Sequence, residues 1–199
     1  MFTGIIKSTG KITESTSSNI KISTNDSEIL NVIDGTSVSV DGACLTVQTI
    51  LNNEITFQIS KETIDRTIIS NYSVGVVVNL ELPVKAHDYL SGHIVQGHID
   101  DVSNLIEIKE IGNKQWKYKF DTKNTKYIVD KGSITINGIS LTVVKPSKDA
   151  FETYIIDETY KRTNIQYLEI GSQVNIEYDI LSKYLERLTI DNWYRRNYK

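Results

Sequence analysis

Alternation of apolar and polar residues dominates this chain. In 37–47, SVSVDGACLTV, Val38 and Val40 alternate with Ser37 and Ser39. In 133–143, SITINGISLTV, Ile134 and Ile136 alternate with Ser133 and Thr135. A period of two sends alternate side chains to opposite faces of a strand, so both stretches predict half-buried β-strands. Each runs into a two-residue turn signal, Asp41-Gly42 or Asn137-Gly138. A type I′ hairpin turn needs φ > 0 at both central residues, which Asn, Asp and Gly adopt at least cost. Further alternating runs are EITFQIS (54–60), FETYII (151–156), VVNLEL (77–82) and QVNIEYDI (173–180). Short strands with regular turn signals predict a small barrel or sandwich. The segments 61–67 and 157–163 follow strands and predict one short helical turn each. The period changes only near the end. Leu181, Tyr184, Leu185 and Leu188 recur at i, i+3, i+4 and i+7, which predicts an amphipathic helix. Its apolar stripe suits either a lid on its own barrel or a contact with another copy. The tail DNWYRRNYK is polar and aromatic, and is predicted to fray.

The alternating pattern is written twice. An offset of 96 carries Ser37 to Ser133, Gly42 to Gly138, and Leu45-Thr46-Val47 to Leu141-Thr142-Val143. The same offset carries KETIDRT (61–67) onto DETYKRT (157–163) and GVVVNLEL (75–82) onto GSQVNIEY (171–178). The beginning matches more loosely: FTGII (2–6) resembles VQGHI (95–99) at an offset of 93. Repeats of about 90 residues are too long for solenoid units and predict two small domains joined near 86–96. That junction lacks linker composition, so the halves are predicted to pack closely.

Composition narrows the function classes. The 199 residues are 39% hydrophobic and 24% charged, with a formal net charge of −3 and no basic run, which argues against nucleic acid or an anionic membrane as partner. A single cysteine allows no internal disulfide and fits a reducing, cytoplasmic setting. No secretory leader is legible at the start, and no apolar run approaches the ~20 residues of a membrane helix.

Candidate chemistry is sparse. Cys44, just past the first hairpin turn, becomes Ser140 in the second copy. As a lone cysteine, Cys44 also suits a small buried core position. His93 and His98 are spaced i, i+5, which puts them on opposite faces of a strand; with no HExxH and no second cysteine, a metal site is not predicted. His98 is the more informative, because its repeat partner is Ile5 and an ionisable group suited to proton transfer occupies only one of two equivalent slots. The repeated pairs Glu62-Thr63 and Glu158-Thr159 suit turn or cap chemistry, or two pockets with similar polar linings. Glycine-rich phosphate loops and a GxSxG elbow are both absent.

MFTGII at the start, DGACLTV, KETIDRT, GHIVQGHID, NGISLTV and YDILSKYLERL together resemble the α-chain riboflavin synthase family, to about residue 188. The resemblance implies an all-β fold: two similar six-stranded Greek-key β-barrels, followed by a C-terminal α-helix. Their expected extents are 1–92 and 93–180 for two lumazine-binding barrels, and 181–199 for a trimerisation helix and tail. It implies a homotrimer, which favours the oligomer role for the helix. The family converts two molecules of 6,7-dimethyl-8-ribityllumazine into riboflavin and 5-amino-6-ribitylaminouracil by moving a four-carbon unit, the last step of riboflavin formation. No cofactor or metal is implied. Association with a lumazine-producing synthase is possible in this family, and a site between the first barrel of one subunit and the second barrel of its neighbour is implied.

By position, the family's catalytic residues fall on Ser37, Cys44 and His98, and on Ser140 and Thr142. His98 and Thr142 would assist proton transfer, while Cys44 and Ser140 would polarise or add to the ring. The first pocket would take Gly4, Ile5 and Ile6; Cys44, Leu45 and Thr46; Gln58, Ile59, Ser60, Lys61, Glu62 and Thr63; and Gly97, His98 and Ile99. The second would take Lys131; Ser140, Leu141 and Thr142; and Tyr154, Ile155, Ile156, Asp157, Glu158 and Thr159. Ala43 departs from members with a second cysteine there, and LSGH (90–93) from the commoner paired glycine. The competing class is a non-catalytic lumazine- or flavin-binding antenna protein. Retention of Cys44, His98, Ser140 and Thr142 favours the enzyme.

Overall fold

The computed structural model describes residues 1–197. The first half holds β1 (Ser8–Ser15), β2 (Asn19–Ser23), α1 (Ser27–Leu30), β3 (Ser37–Val40), β4 (Ala43–Leu51), β5 (Glu54–Gln58), α2 (Lys61–Arg66) and β6 (Val77–Glu81). The second holds β7 (Asp101–Gly112), β8 (Gln115–Asp121), β9 (Ser133–Ile136), β10 (Ile139–Thr142), β11 (Ala150–Ile156), α3 (Asp157–Arg162), β12 (Gln173–Tyr178) and α4 (Ile180–Asn197).

The first six strands close into an antiparallel barrel in the order β1-β2-β5-β4-β3-β6. The connections from β2 to β3 and from β5 to β6 skip over intervening strands, giving the Greek-key pattern. The second six repeat that order as a sheet cut between β10 and β11. An isolated bridge between Val144 and Glu152 spans the cut, with reciprocal N–H···O bonds of 2.8 and 2.9 Å. Each barrel has its own core: Ile12, Ile20, Ile22, Val38, Phe57 and Leu80 in the first, and Leu105, Phe120, Ile134, Ile136, Phe151 and Ile176 in the second. Burying each such side chain contributes roughly 1.5–3 kcal/mol.

Both predicted hairpin turns form. Asp41 and Gly42 have φ of 44° and 82°, and Asn137 and Gly138 have 45° and 78°. The two turns meet at the seam. A Cβ on Gly42 would stand 2.8 Å from Gly138 N, and one on Gly138 would stand 2.8 Å from Gly42 N, so only glycine allows this approach.

Four asparagines and an aspartate knit the seam with approximate two-fold symmetry. Asn79 Nδ2 donates to Asn137 O and Asn175 Nδ2 to Asp41 O, each at 2.9 Å. Asn164 N donates to Asn79 Oδ1 at 2.7 Å, and Ile68 N to Asn175 Oδ1 at 2.9 Å. The symmetry breaks at Asp41. Its carboxylate also accepts from Tyr72 Oη at 2.7 Å and Asn164 Nδ2 at 2.9 Å, while Leu168 stands where a counterpart of Tyr72 would be. Burial pushes the Asp41 carboxyl up to about 7, against the lowering effect of its hydrogen bonds.

The two leading segments are exchanged between barrels. Ile6, from the first half, packs in the second core, while Ile99 and Val102, from the second, pack on the first. Phe2 and Val95, one from each segment, form an antiparallel bridge with N–H···O distances of 2.7 and 3.1 Å.

Helix α4 turns polar groups toward its barrel. Lys183 pairs with Asp100 at 2.5 Å, and Glu186 accepts from Tyr127 Oη at 2.5 Å and pairs with Lys126 at 2.9 Å. Leu181, Tyr184, Leu185 and Leu188 are 58–65% exposed. The apolar stripe is therefore not a lid on its own barrel. The helix runs to Asn197, through most of the tail predicted to fray; the tail's last two residues, and its side chains, lie outside the described residues.

Candidate active site

The site is built on the polar outer faces of two equivalent hairpins, β3–β4 and β9–β10. In the first, Ser39 lies opposite Cys44 and Ser37 opposite Thr46. In the second, Thr135 lies opposite Ser140 and Ser133 opposite Thr142. Val38, Val40, Ile134 and Ile136 point into the cores, so the period of two leaves the candidate side chains on the outer face. Cys44 and Ser140 are half-buried, and Thr46 and Thr142 are exposed.

An exchanged segment crosses each face. Cys44 N donates to Gly97 O at 2.8 Å, and Ser140 N donates to Gly4 O at 2.8 Å. Gly97 and Gly4 have φ of 81° and 78°. An added Cβ would stand 2.6 Å from Cys44 Cβ in one case and from Ser140 Cβ in the other. The expected grouping of Gly4, Ile5 and Ile6 with Cys44 is therefore corrected. Gly4 lies on Ser140 and Ile6 enters the second core, while Gly97 lies on Cys44. Sequence matching could equate the two segments but could not show that they trade places.

Buried carboxylates clamp both segments. Glu81 accepts from Thr3 N at 2.7 Å, Thr3 Oγ1 at 2.8 Å and Gly4 N at 3.0 Å. Glu177 accepts from the backbone N–H of Gln96, Gly97 and His98 at 2.7, 2.9 and 3.2 Å. Burial raises both carboxyls, Glu177 to about 7, although the N–H donors pull the other way.

The three histidines part company. His87 is exposed beside Asp88. His98, next to Gly97, is exposed, and its ring makes no hydrogen bond or ion pair among the described residues. His93, which sequence reasoning set aside, is buried against the second face. Its Nδ1 is 2.7 Å from Ser140 Oγ and its Nε2 3.2 Å from Thr135 Oγ1. Burial lowers its pKa, opposed by the charge of Asp179. Its sequence signal was its place in GHIVQGHID beside Gly92; in the structure a Cβ on Gly92 would meet Thr3 O at 2.0 Å.

The remaining candidates lie at the ends of β5 and β11, in α2 and α3, and at Lys131. Gln58, Ser60, Lys61 and Glu62 are exposed and Thr63 is half-buried; Tyr154, Ile156 and Glu158 are exposed, and Asp157 and Thr159 are half-buried. Lys131 is exposed at φ 63°. Leu45, Ile59 and Ile155 point into the cores, so only their backbones face outward. Ser60 caps α2, accepting from Thr63 N at 3.1 Å. Glu62 pairs with Arg66 at 3.0 Å, and Glu158 likewise pairs with Arg162, which accounts for the repeated Glu and Arg as i,i+4 partners. Trp116 stacks on Tyr160 of α3, with ring centroids 3.9 Å apart. Among the described residues no cluster of His, Cys, Asp and Glu could hold a metal, and no helix is long and apolar enough to cross a membrane.

A duplicated six-stranded barrel with a polar hairpin face on each copy defines a tandem lumazine-binding protein, and the lumazine binding domain family matches this chain twice, at 3–83 and 96–179. The chain is 39% identical over 194 residues to riboflavin synthase of Actinobacillus pleuropneumoniae, covering 96% of this chain and 90% of that one. It is 36% identical over 191 residues to riboflavin synthase of Bacillus subtilis, covering 94% and 89%. It therefore belongs to the riboflavin synthase family of enzymes. Among solved structures, LumP complexed with riboflavin superposes with a TM-score of 0.82 at 29% identity, over 89% of this chain and 99% of that one. LumP complexed with 6,7-dimethyl-8-(1′-D-ribityl)lumazine gives 0.81 at 28% identity, over 89% and 98%.

Proposed function

We propose that this enzyme converts two molecules of 6,7-dimethyl-8-ribityllumazine into riboflavin and 5-amino-6-ribitylaminouracil. The observation that carries the reading is the pair of equivalent faces, each with its own reactive hydroxyl or thiol: Cys44 under Gly97, and Ser140 under Gly4. A reaction between two like molecules needs two like seats. Holding both reactants in attack geometry can supply roughly 7–11 kcal/mol of the barrier. Each lumazine lies on one hairpin face, held at its edges by the arm backbone, by Thr46 and Thr142, and by the Glu62-Thr63 and Glu158-Thr159 pairs.

The two faces differ, and so do their tasks. Cys44 offers a polarisable thiol as nucleophile; exposed His98, next to Gly97, and half-buried Ser37, on the facing strand, would serve proton transfer. Ser140 and Thr142 offer hydroxyls as hydrogen-bond donors to the other ring. In this reading the productive pairing sets the first face of one subunit against the second face of another. The exposed stripe of α4 holds the homotrimer that supplies this pairing. The protein works in the cytoplasm, where the lumazine-producing synthase can associate with it.

LumP, the structural neighbour bound to the same chromophores, supports a second reading as a chromophore-holding protein. Incubation of the purified protein with the lumazine alone, followed by chromatography, separates the two. The enzyme yields one riboflavin per two lumazines consumed. A stable fluorescent complex without riboflavin supports the second reading.

A further inference from the structure

The second face carries a hydrogen-bonded line that the first lacks: Thr135, His93, Ser140. Its direction follows from counting protons. Thr135 is 1% exposed, and among the described residues its hydroxyl has one partner, His93 Nε2 at 3.2 Å. The large majority of buried hydroxyls donate their hydrogen, and with His93 Nε2 its one partner the Thr135 hydroxyl is assigned as donating to Nε2. A neutral imidazole has one N–H and one acceptor nitrogen. With Nε2 accepting, the hydrogen is on Nδ1, which donates to Ser140 Oγ at 2.7 Å. The ring is held in place at its own backbone, where His93 N donates to Thr3 O at 3.1 Å. Ser140 N is taken by Gly4 O, so the residue's backbone cannot rotate away.

We infer that His93 is a positioning residue that commits the Ser140 hydroxyl to donating outward, toward an acceptor oxygen or ring nitrogen of a heterocycle seated on the second face. The Ser140 oxygen already accepts from Nδ1–H, so its own hydrogen is the group left for a ligand. A line of donors polarises each successive hydroxyl, which strengthens the last bond. A donor fixed in this way favours negative charge developing on the bound ring and needs no rearrangement as the charge appears. Ser140 is then neither base nor nucleophile. Among the described residues no histidine is hydrogen-bonded to Ser39 or Cys44, so the thiol face is the one free to add to a ring. The two faces thereby acquire different parts in one reaction.

This assignment rests on the reaction proposed above, and its test has one arm that does not depend on turnover. Long-range proton–nitrogen NMR of His93 in the unmodified protein reads the tautomer directly. A hydrogen on Nδ1 at pH 7 supports the assignment; a hydrogen on Nε2 overturns it, whatever the activity. The second arm is kinetic. H93N places an amide N–H where Nδ1–H stood, H93Q places it where Nε2 stood, and H93L offers neither. The expected order of kcat is H93N well above H93Q and H93L, the last down by about 10- to 100-fold with KM within about threefold. In an S140A background the three substitutions should differ little. An H93N as slow as H93L, an H93L as fast as the parent, or equal losses with and without Ser140 overturns it. Absence of turnover in the parent defeats the proposed reaction and leaves the NMR result to decide the relay.

Discussion

The amide of Cys44 donates to the carbonyl of Gly97 at 2.8 Å, although the two residues belong to different barrels in the repeat. The same bond, at the same distance, joins Ser140 to Gly4. Cys44 and Ser140 are thus each seated by a segment from the other half of the chain. The two sites and the seam between the barrels form one mechanical unit.

The glycines at these crossings set the first prediction. Gly97→Ala adds a Cβ 2.6 Å from Cys44 Cβ at a φ of 81°. Gly35→Ala is the control, because Gly35 has a φ of 87° but open space where a Cβ would go. Urea unfolding should show a loss of about 1–2 kcal/mol for the control and roughly 2–5 kcal/mol for Gly97→Ala. Equal losses would mean that the close approach to Cys44 is unimportant.

The seam makes stability depend on pH through Asp41. Its carboxyl titrates at about 7 in the folded protein against an ordinary value of 3.8. The folded state therefore binds the proton more tightly than the unfolded chain. The cost of a buried charge is absent below about pH 4, grows as pH rises, and is complete above about pH 7. At about 1.4 kcal/mol per pH unit of separation, this is worth roughly a few kcal/mol. Asp41→Asn copies Asn137, its counterpart in the second half, and carries no charge at any pH. Relative to the parent, the variant should gain stability between pH 4.5 and 7.5 in denaturant unfolding. A difference independent of pH would show that Asp41 does not titrate in this range.

Cys44→Ala should lower kcat by roughly tenfold or more while the affinity for the lumazine, read by fluorescence titration, changes by less than about threefold. The thiol is half-buried at the face, and its removal leaves the arm and hairpin backbone in place. Unchanged kcat would remove Cys44 from the chemistry.

Helix α4 hides polar groups and shows apolar ones. Leu181 and Leu185 are 58% and 65% exposed, which favours association with another apolar surface. Replacing both with serine should shift sedimentation from the proposed trimer to smaller species at micromolar concentration and lower turnover in parallel. A species of unchanged size would place the assembly contact elsewhere.

What was legible in the sequence follows from the range over which each feature is encoded. Strands and hairpin turns are local, so the alternation at Val38 and Val40 and the Asp41-Gly42 dipeptide were enough to place them. The equivalence of the halves was legible from the constant offset. Exchange of the arms was not, because Ile6 and Ile99 carry the same local pattern whichever core receives them. His93 was missed for a related reason. Its partner Ser140 is 47 residues away, and of the two histidines only His98 has a counterpart at the repeat offset, Ile5. Similarly, the stripe of α4 was legible as a stripe, but its outward direction depends on Lys183 and Glu186 finding partners on the barrel.

Mixing two disabled variants tests the pairing of faces across chains most directly. Cys44→Ala and Ser140→Ala chains are purified separately, dissociated, mixed in equal amounts, reassembled and assayed for riboflavin formation. Sites that join the first face of a Ser140→Ala chain to the second face of a Cys44→Ala chain contain neither substitution. The mixture should therefore turn over well above the average of the two parents treated alone. Activity equal to that average would contradict a site shared between subunits.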